Sequence, residues 1–154
     1  MSATEKRTLL LSIRPKFAEM IFNGSKRVEL RRRRPRICAG DKVYVYMSSP
    51  VRALVGEFIV QRVLSSSVDD LWDIVRDCAG ITQEHFEEYY SGTDLGCAIF
   101  VAESKRLPRP IELDDLRRIW RGFSPPQSYA YLSHDELTLI EEDPTANHVL
   151  ASAQ

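Results

Sequence analysis

The sequence feature that most constrains the fold is a pair of strand-like segments in the middle of the chain. Apolar and aromatic residues alternate over 43–47, and after Pro50 a second β-rich segment covers about 53–63. Alternation with a period of two is typical of a β-strand, and two such segments joined by a short turn favour an antiparallel pair. A long central hairpin argues against a sheet built from alternating βαβ units.

The flanking segments add shorter strands and several helices. The patterns predict strands over 8–13, 26–31 and 96–107, the last ended by Pro108 and Pro110, and helices over 15–23, 67–78, 82–91, 113–120 and 129–142. Pro15 suits the first turn of a helix, and Asn23-Gly24 is a helix stop signal. We therefore predict an α+β fold: a small, partly open mixed β-barrel of about five to six strands with surrounding helices.

Length and composition indicate one cytoplasmic domain. The chain has 154 residues, 44% of them hydrophobic and 28% charged, which is enough for one core. We expect a single domain over 1–143 and a disordered tail over 144–154. No apolar run approaches the ~18 residues of a membrane span. Cys38, Cys78 and Cys97 are too widely spaced to indicate a disulfide framework or a thiolate metal site, so no metal or cofactor is predicted.

Local charge is more informative than the net charge of −1. The segment 26–36 holds seven Lys and Arg residues against Glu29 alone, whereas 122–154 holds five acidic residues and neither Lys nor Arg. A cationic segment next to a cleft raises affinity for phosphate, although such a run is also compatible with a plain solvated face. The acidic C-terminal region could contact a protein partner.

The octamer Gly24 to Arg31 carries the most specific pattern in the sequence, G-x-K-x-x-E-x-R. Other segments accompany it in a fixed order: Ser12-Ile13-Arg14-Pro15-Lys16, Gly40-Asp41-Lys42-Val43-Tyr44, Gly56-Glu57-Phe58, Tyr90-Ser91-Gly92 and Pro125-Pro126-Gln127-Ser128-Tyr129. Together these resemble the ASCH (activating signal cointegrator homology) family over about 10–132. The resemblance implies a fold like the PUA domain of RNA-modifying proteins, a cleft at the octamer, RNA binding and, in some branches, hydrolysis.

The chemistry of the octamer agrees with a binding cleft. Lys26 supplies a mobile point charge, and Arg31 a planar fork that suits phosphate or a base edge. Glu29 can accept hydrogen bonds from an exocyclic amine or hold the two cations in place. The alternative is an exposed ion-pair network worth at most ~1 kcal/mol per pair.

Five further residues complete the candidate ligand-binding set. Arg33 lies in the cationic segment, and Gln127 and Ser128 follow the rigid Pro125-Pro126 pair. Tyr46 and Tyr129 offer ring faces on which bases can stack, unless they are ordinary half-buried packing residues. The three histidines are far apart, so the sequence indicates neither a metal site nor a histidine-based triad.

Three classes of function remain open. We expect first a module that binds RNA, another nucleic acid, or a nucleotide or modified base. The runner-up is a small hydrolase, either a ribonuclease or an enzyme acting on a modified nucleoside, with Lys26 and Glu29 as acid and base. Family amidohydrolases place a threonine three residues after the motif lysine, but Glu29 stands there, so that nucleophile is missing. The third class is regulatory: a nucleotide or RNA sensor whose acidic C-terminal region contacts a protein partner, or a pure protein-interaction domain.

Overall fold

The computed structural model describes residues 6–143, which form six strands and five helices. The strands are β1 (Thr8–Ile13), β2 (Val28–Arg31), β3 (Lys42–Met47), β4 (Ala53–Ser67), β5 (Leu95–Glu112) and β6 (Tyr129–Tyr131). The helices are α1 (Pro15–Asn23), α2 (Val68–Val75), α3 (Gln83–Tyr89), α4 (Leu113–Ile119) and α5 (His134–Glu141).

All six strands belong to one mixed sheet with the order β2-β5-β4-β3-β1-β6. β1 and β3 are parallel, and the other neighbouring pairs are antiparallel. The sheet curls into a half-barrel, so its two edge strands, β2 and β6, face each other across the opening. The predicted α+β fold and the partly open barrel are therefore confirmed.

Three apolar clusters hold the helices on the sheet. The first fills the concave side of the barrel and includes Leu11, Val45 and Phe58. The second packs α2 and α3 against β2 and β5, and the third packs α4 and α5 against the outer face of β1, β3 and β4. Strand alternation separates the clusters, since neighbouring side chains point to opposite faces. Val43 and Val45 accordingly lie in the first cluster, and Tyr44 and Tyr46 in the third.

The predicted helix over 129–142 is wrong in its first part. Tyr129 to Tyr131 form β6, which pairs antiparallel with β1, and the amide of Leu132 donates to the carbonyl oxygen of Thr8 at 2.9 Å. The helix begins after Ser133, whose side chain forms a capping box with Glu136. The open edge of β1 offers these residues backbone partners that a local pattern cannot reveal.

Pro108 and Pro110 do not end β5, contrary to the sequence prediction. The pairing register between β4 and β5 shifts between Leu54 and Gly56, and residues 107–110 lie opposite that irregularity. Proline is tolerated in a strand at a bulge, because no ladder hydrogen bond is required of it there. β5 therefore continues to Glu112.

Within residues 6–143, no helix has the length and hydropathy that crossing a membrane requires. The predicted tail over 144–154 lies outside the described residues. The single-domain boundary at 143 stays a prediction.

Candidate binding cleft at the open edge of the barrel

The turn between α1 and β2 brings the octamer into place. Gly24 ends α1 with φ of 86°, a left-handed conformation that favours glycine. The amide of Lys26 then donates to the carbonyl oxygen of Met20 at 3.0 Å, and the amide of Arg27 donates to the carbonyl oxygen of Cys78 at 2.9 Å. These bonds fix the start of β2 against both α1 and the segment after α2.

The alternation along β2 separates packing residues from polar ones. Val28 and Leu30 are buried in the cluster under α2 and α3. Glu29 and Arg31 therefore point to the opposite, concave face of the sheet. The period-two pattern in the sequence had predicted this division.

Lys26 is buried rather than exposed. Its side chain is 3% exposed, its ammonium donates to the carbonyl oxygen of Ala79 at 2.5 Å, and it lies 5.3 Å from the centroid of the Phe17 ring. Burial lowers the pKa of Lys26 below its ordinary 10.5, and the nearby carboxylate of Glu29 partly opposes that shift. Lys26 is thus an unusually desolvated amine close to a carboxylate.

Arg31 connects the two edges of the half-barrel. Its Nη1 donates to Ser128 Oγ at 3.1 Å, just before β6, and its Nη2 donates to the carbonyl oxygen of Ser12 in β1 at 3.1 Å. The Nη2 atom is also 3.8 Å from Glu29 Oε2, which has no hydrogen-bond partner among residues 6–143. A second connection follows nearby, since the amide of Arg36 donates to the hydroxyl of Tyr131 at 2.7 Å.

A cleft of about 690 Å³ opens beside this connection. It is lined by Arg31, Arg32, Arg33, Tyr89, Gly92, Thr93, Ser128 and Tyr129. Arg32 is anchored by a hydrogen bond to the carbonyl oxygen of Ser91 at 3.1 Å, while Arg33 is exposed. The cleft therefore combines three guanidinium groups with two aromatic rings and two hydroxyl side chains.

The structure brings four of the eight candidate residues to the same cleft: Arg31, Arg33, Ser128 and Tyr129. Glu29 and Lys26 are buried and are not among the residues that line it. Gln127 is exposed next to Ser128 without lining the cleft. Tyr46 lies on the outer face of the sheet, 2% exposed, with its ring centroid 6.2 Å from that of Phe123. Its predicted role as a ligand residue stays a prediction, separate from this cleft.

Tyr89 and Thr93 are lining residues that sequence reasoning did not select. The hydroxyl of Tyr89 donates to the carbonyl oxygen of Leu30 at 3.2 Å, and burial raises the pKa of that hydroxyl. The adjacent Tyr90 supports β2 from below, donating to the carbonyl oxygen of Arg31 at 3.0 Å. The Tyr90-Ser91-Gly92 segment was the available signal, since it is one of the elements shared with the ASCH family.

The half-barrel sheet and its cationic open edge define a class of small α+β domains. The ASCH domain model matches residues 11–113. The chain therefore belongs to the ASCH domain family. A relative named "ASCH domain-containing ribonuclease", from Zymomonas mobilis, is 30% identical over 132 residues, which cover 86% of this chain and 88% of the relative.

Solved structures agree with this assignment. The crystal structure of ASCH from Zymomonas mobilis is 28% identical and superposes with a TM-score of 0.83, covering 89% of this chain and 95% of that one. The N-terminal domain of Staphylothermus marinus McrB shares the fold at a TM-score of 0.52 and 14% identity, covering 91% and 98% of the two chains.

Proposed function

We propose that this protein binds RNA in the cleft between β2 and β6. The observation that carries the proposal is the grouping of three guanidinium groups with two aromatic rings around one opening of about 690 Å³. Guanidinium groups bind phosphate oxygens through paired hydrogen bonds, and aromatic faces stack on unpaired bases. Support also comes from the Zymomonas relative, which is named a ribonuclease.

Each group has a distinct task in this proposal. Arg32 and Arg33 contact the phosphate backbone at the rim, and this contact is salt-dependent because it releases counterions. Tyr89, which is 40% exposed, and the half-buried Tyr129 provide stacking surfaces for bases. Ser12 and Ser128 hold the guanidinium group of Arg31 through hydrogen bonds, so this group faces the cleft in one fixed orientation.

Glu29 and Lys26 support the cleft from behind in the binding mode. The Glu29 carboxylate lies close to the Arg31 fork and neutralises part of its charge in a buried setting. Both side chains are less than a tenth exposed, so neither offers RNA a direct contact from the cleft in this conformation. They therefore act as positioning groups in this proposal.

Cleavage of RNA is the second candidate function, favoured by the name of the 30%-identical relative. The lowered pKa of Lys26 makes its ammonium a better proton donor, and its amine easier to form, than in an exposed lysine, with Glu29 as the partner group. The cationic rim would stabilise charge that develops on the phosphate during cleavage.

Fluorescence anisotropy with labelled single-stranded RNA at low salt tests the binding proposal. Arg33→Ala removes an exposed rim cation that has no side-chain hydrogen bond or ion pair within residues 6–143. Arg109→Ala, at an exposed site on β5 away from the cleft, is the matched control. We expect affinity to fall about tenfold for Arg33→Ala, equal to ~1.4 kcal/mol, and to stay unchanged for the control. Failure of the wild-type protein to bind any RNA at low salt would contradict the proposal.

Long incubation of the same RNA separates binding from cleavage. A ribonuclease gives time-dependent products that disappear in Lys26→Ala and Glu29→Gln, with circular dichroism confirming that both variants are folded. Products that persist equally in both variants would show that these two residues do not catalyse the reaction. A protein partner at the acidic C-terminal region stays a prediction, tested by partner capture with the cleft cations neutralised.

A further inference from the structure

A second cavity, of about 380 Å³, lies next to the buried Lys26 side chain, between α1 and the segment that joins α2 to α3. It shares no lining residue with the cleft described above. Its residues are Lys16, Phe17, Met20, Ser25, Arg76, Asp77, Gly80, Ile81, Thr82 and His85. Its volume falls at the lower end of the ~300–1,000 Å³ range of small-molecule sites.

The floor of this cavity is apolar and half-buried. Phe17, Met20 and Ile81 supply its surface. Gly80 has φ of 68°, and a Cβ placed there would lie 2.7 Å from the Met20 Cε atom and 3.1 Å from the Lys26 Cβ atom. A side chain at this position would therefore press against the floor, so glycine keeps both the backbone turn and the space above it.

The rim is polar, exposed and cationic on balance. Lys16 and Arg76 carry positive charge against Asp77, and Thr82 adds a hydroxyl. Beneath the floor, the Lys26 ammonium lies 5.3 Å from the Phe17 ring centroid and adds a third positive charge in a desolvated position. An apolar, ring-containing floor beneath a cationic rim suits a ligand with a flat ring and an anionic group.

We propose that this second cavity binds one nucleotide unit, with its base on Phe17 and its phosphate between Lys16 and Arg76. The base gains stacking on an aromatic face, and the phosphate gains one planar fork and one mobile ammonium. The unit is either a free nucleoside monophosphate or the phosphorylated end of an RNA strand. This site uses none of the residues that line the first cleft, so the two proposals stand or fall separately.

Calorimetric titration with AMP tests the site in the full-length protein. We expect Arg76→Ala, Lys16→Ala and Phe17→Leu each to weaken AMP binding about tenfold, since each removes one charge-assisted contact or the stacking surface. Arg109→Ala, which removes an exposed arginine that lines neither cavity, is the matched control and leaves AMP affinity unchanged. Adenosine, which lacks the phosphate, should bind at least about tenfold more weakly than AMP.

Oligouridylate with and without a 5′-phosphate distinguishes the two sources of the ligand. A Lys16-dependent preference for the phosphorylated strand assigns the site to a strand end, and AMP binding without that preference assigns it to a free nucleotide. No AMP binding at millimolar concentration, or equal losses in Arg76→Ala and Arg109→Ala, would overturn the inference. If oligouridylate still bound in an Arg33-dependent manner, the proposed RNA-binding function would survive that failure.

Discussion

Replacing Arg31 with alanine tests how the open edge of the barrel is held together. The change removes two hydrogen bonds of 3.1 Å, to Ser12 and Ser128, from a side chain that is 12% exposed. Hydrogen bonds from a charged donor contribute about 1.5–3 kcal/mol each when shielded from water. The change also leaves the buried Glu29 carboxylate without its nearest cation. Because these contributions are not additive, we expect a total loss of about 3–5 kcal/mol.

Urea unfolding followed by circular dichroism measures this loss. With a slope of about 2 kcal/mol per molar urea, the midpoint should fall by about 2 M. Arg33→Ala, two residues away and exposed, is the matched control and should change stability by less than about 0.5 kcal/mol. Arg31→Lys keeps the charge but loses the fork, so its midpoint should lie between those of the wild type and Arg31→Ala. Equal midpoints for Arg31→Ala and Arg33→Ala would refute the bridging role of Arg31.

Three further predictions concern buried positions. Lys26 keeps its proton up to its ordinary pKa of 10.5 in the unfolded chain but releases it at lower pH in the folded protein. The free energy of unfolding of the wild type, relative to that of Lys26→Met, should therefore rise as the pH approaches 10.5. A constant difference in urea titrations across that range would contradict the lowered pKa. Gly56→Ala should cost about 1–3 kcal/mol in thermal unfolding, because the new Cβ would lie 2.5 Å from the Phe22 ring and 2.6 Å from the carbonyl oxygen of Lys105; an unchanged melting temperature would contradict this prediction. Burial raises the pKa of the Cys97 thiol to about 11, so iodoacetamide should label the exposed Cys38 first and reach Cys97 only on unfolding, as read by mass spectrometry.

The sequence predicted the parts of the fold that local patterns determine. Pro15 marks the start of α1 and Gly24 its end. Alternation along β2 predicted that Glu29 and Arg31 lie on one face of the strand. The pairing of β6 with β1 escaped prediction, because a three-residue strand depends on a distant partner rather than on its own pattern. The continuation of β5 through Pro108 also escaped prediction, because it depends on an irregularity in the pairing with β4.

The sequence predicted several residues of the candidate site, but not which of them are buried and which line the cleft. Charge and motif selected Arg31 and Arg33, which line the cleft. The burial of Lys26 could not be predicted, because it depends on the carbonyl oxygen of Ala79, contributed by a segment more than fifty residues away. Tyr89 was missed because the adjacent Tyr90-Ser91-Gly92 segment marks the region without showing which tyrosine lines a cleft and which one packs in the core.

The salt dependence of RNA affinity tests the central proposal most directly. Each phosphate contact on a single strand contributes a slope of about −0.7 to the plot of log K against log salt concentration. If RNA lies in the cleft between β2 and β6, Arg33→Ala should make the slope shallower by about 0.7, while Arg109→Ala leaves it unchanged. A slope that is the same in the wild type and Arg33→Ala would show that RNA does not occupy this cleft.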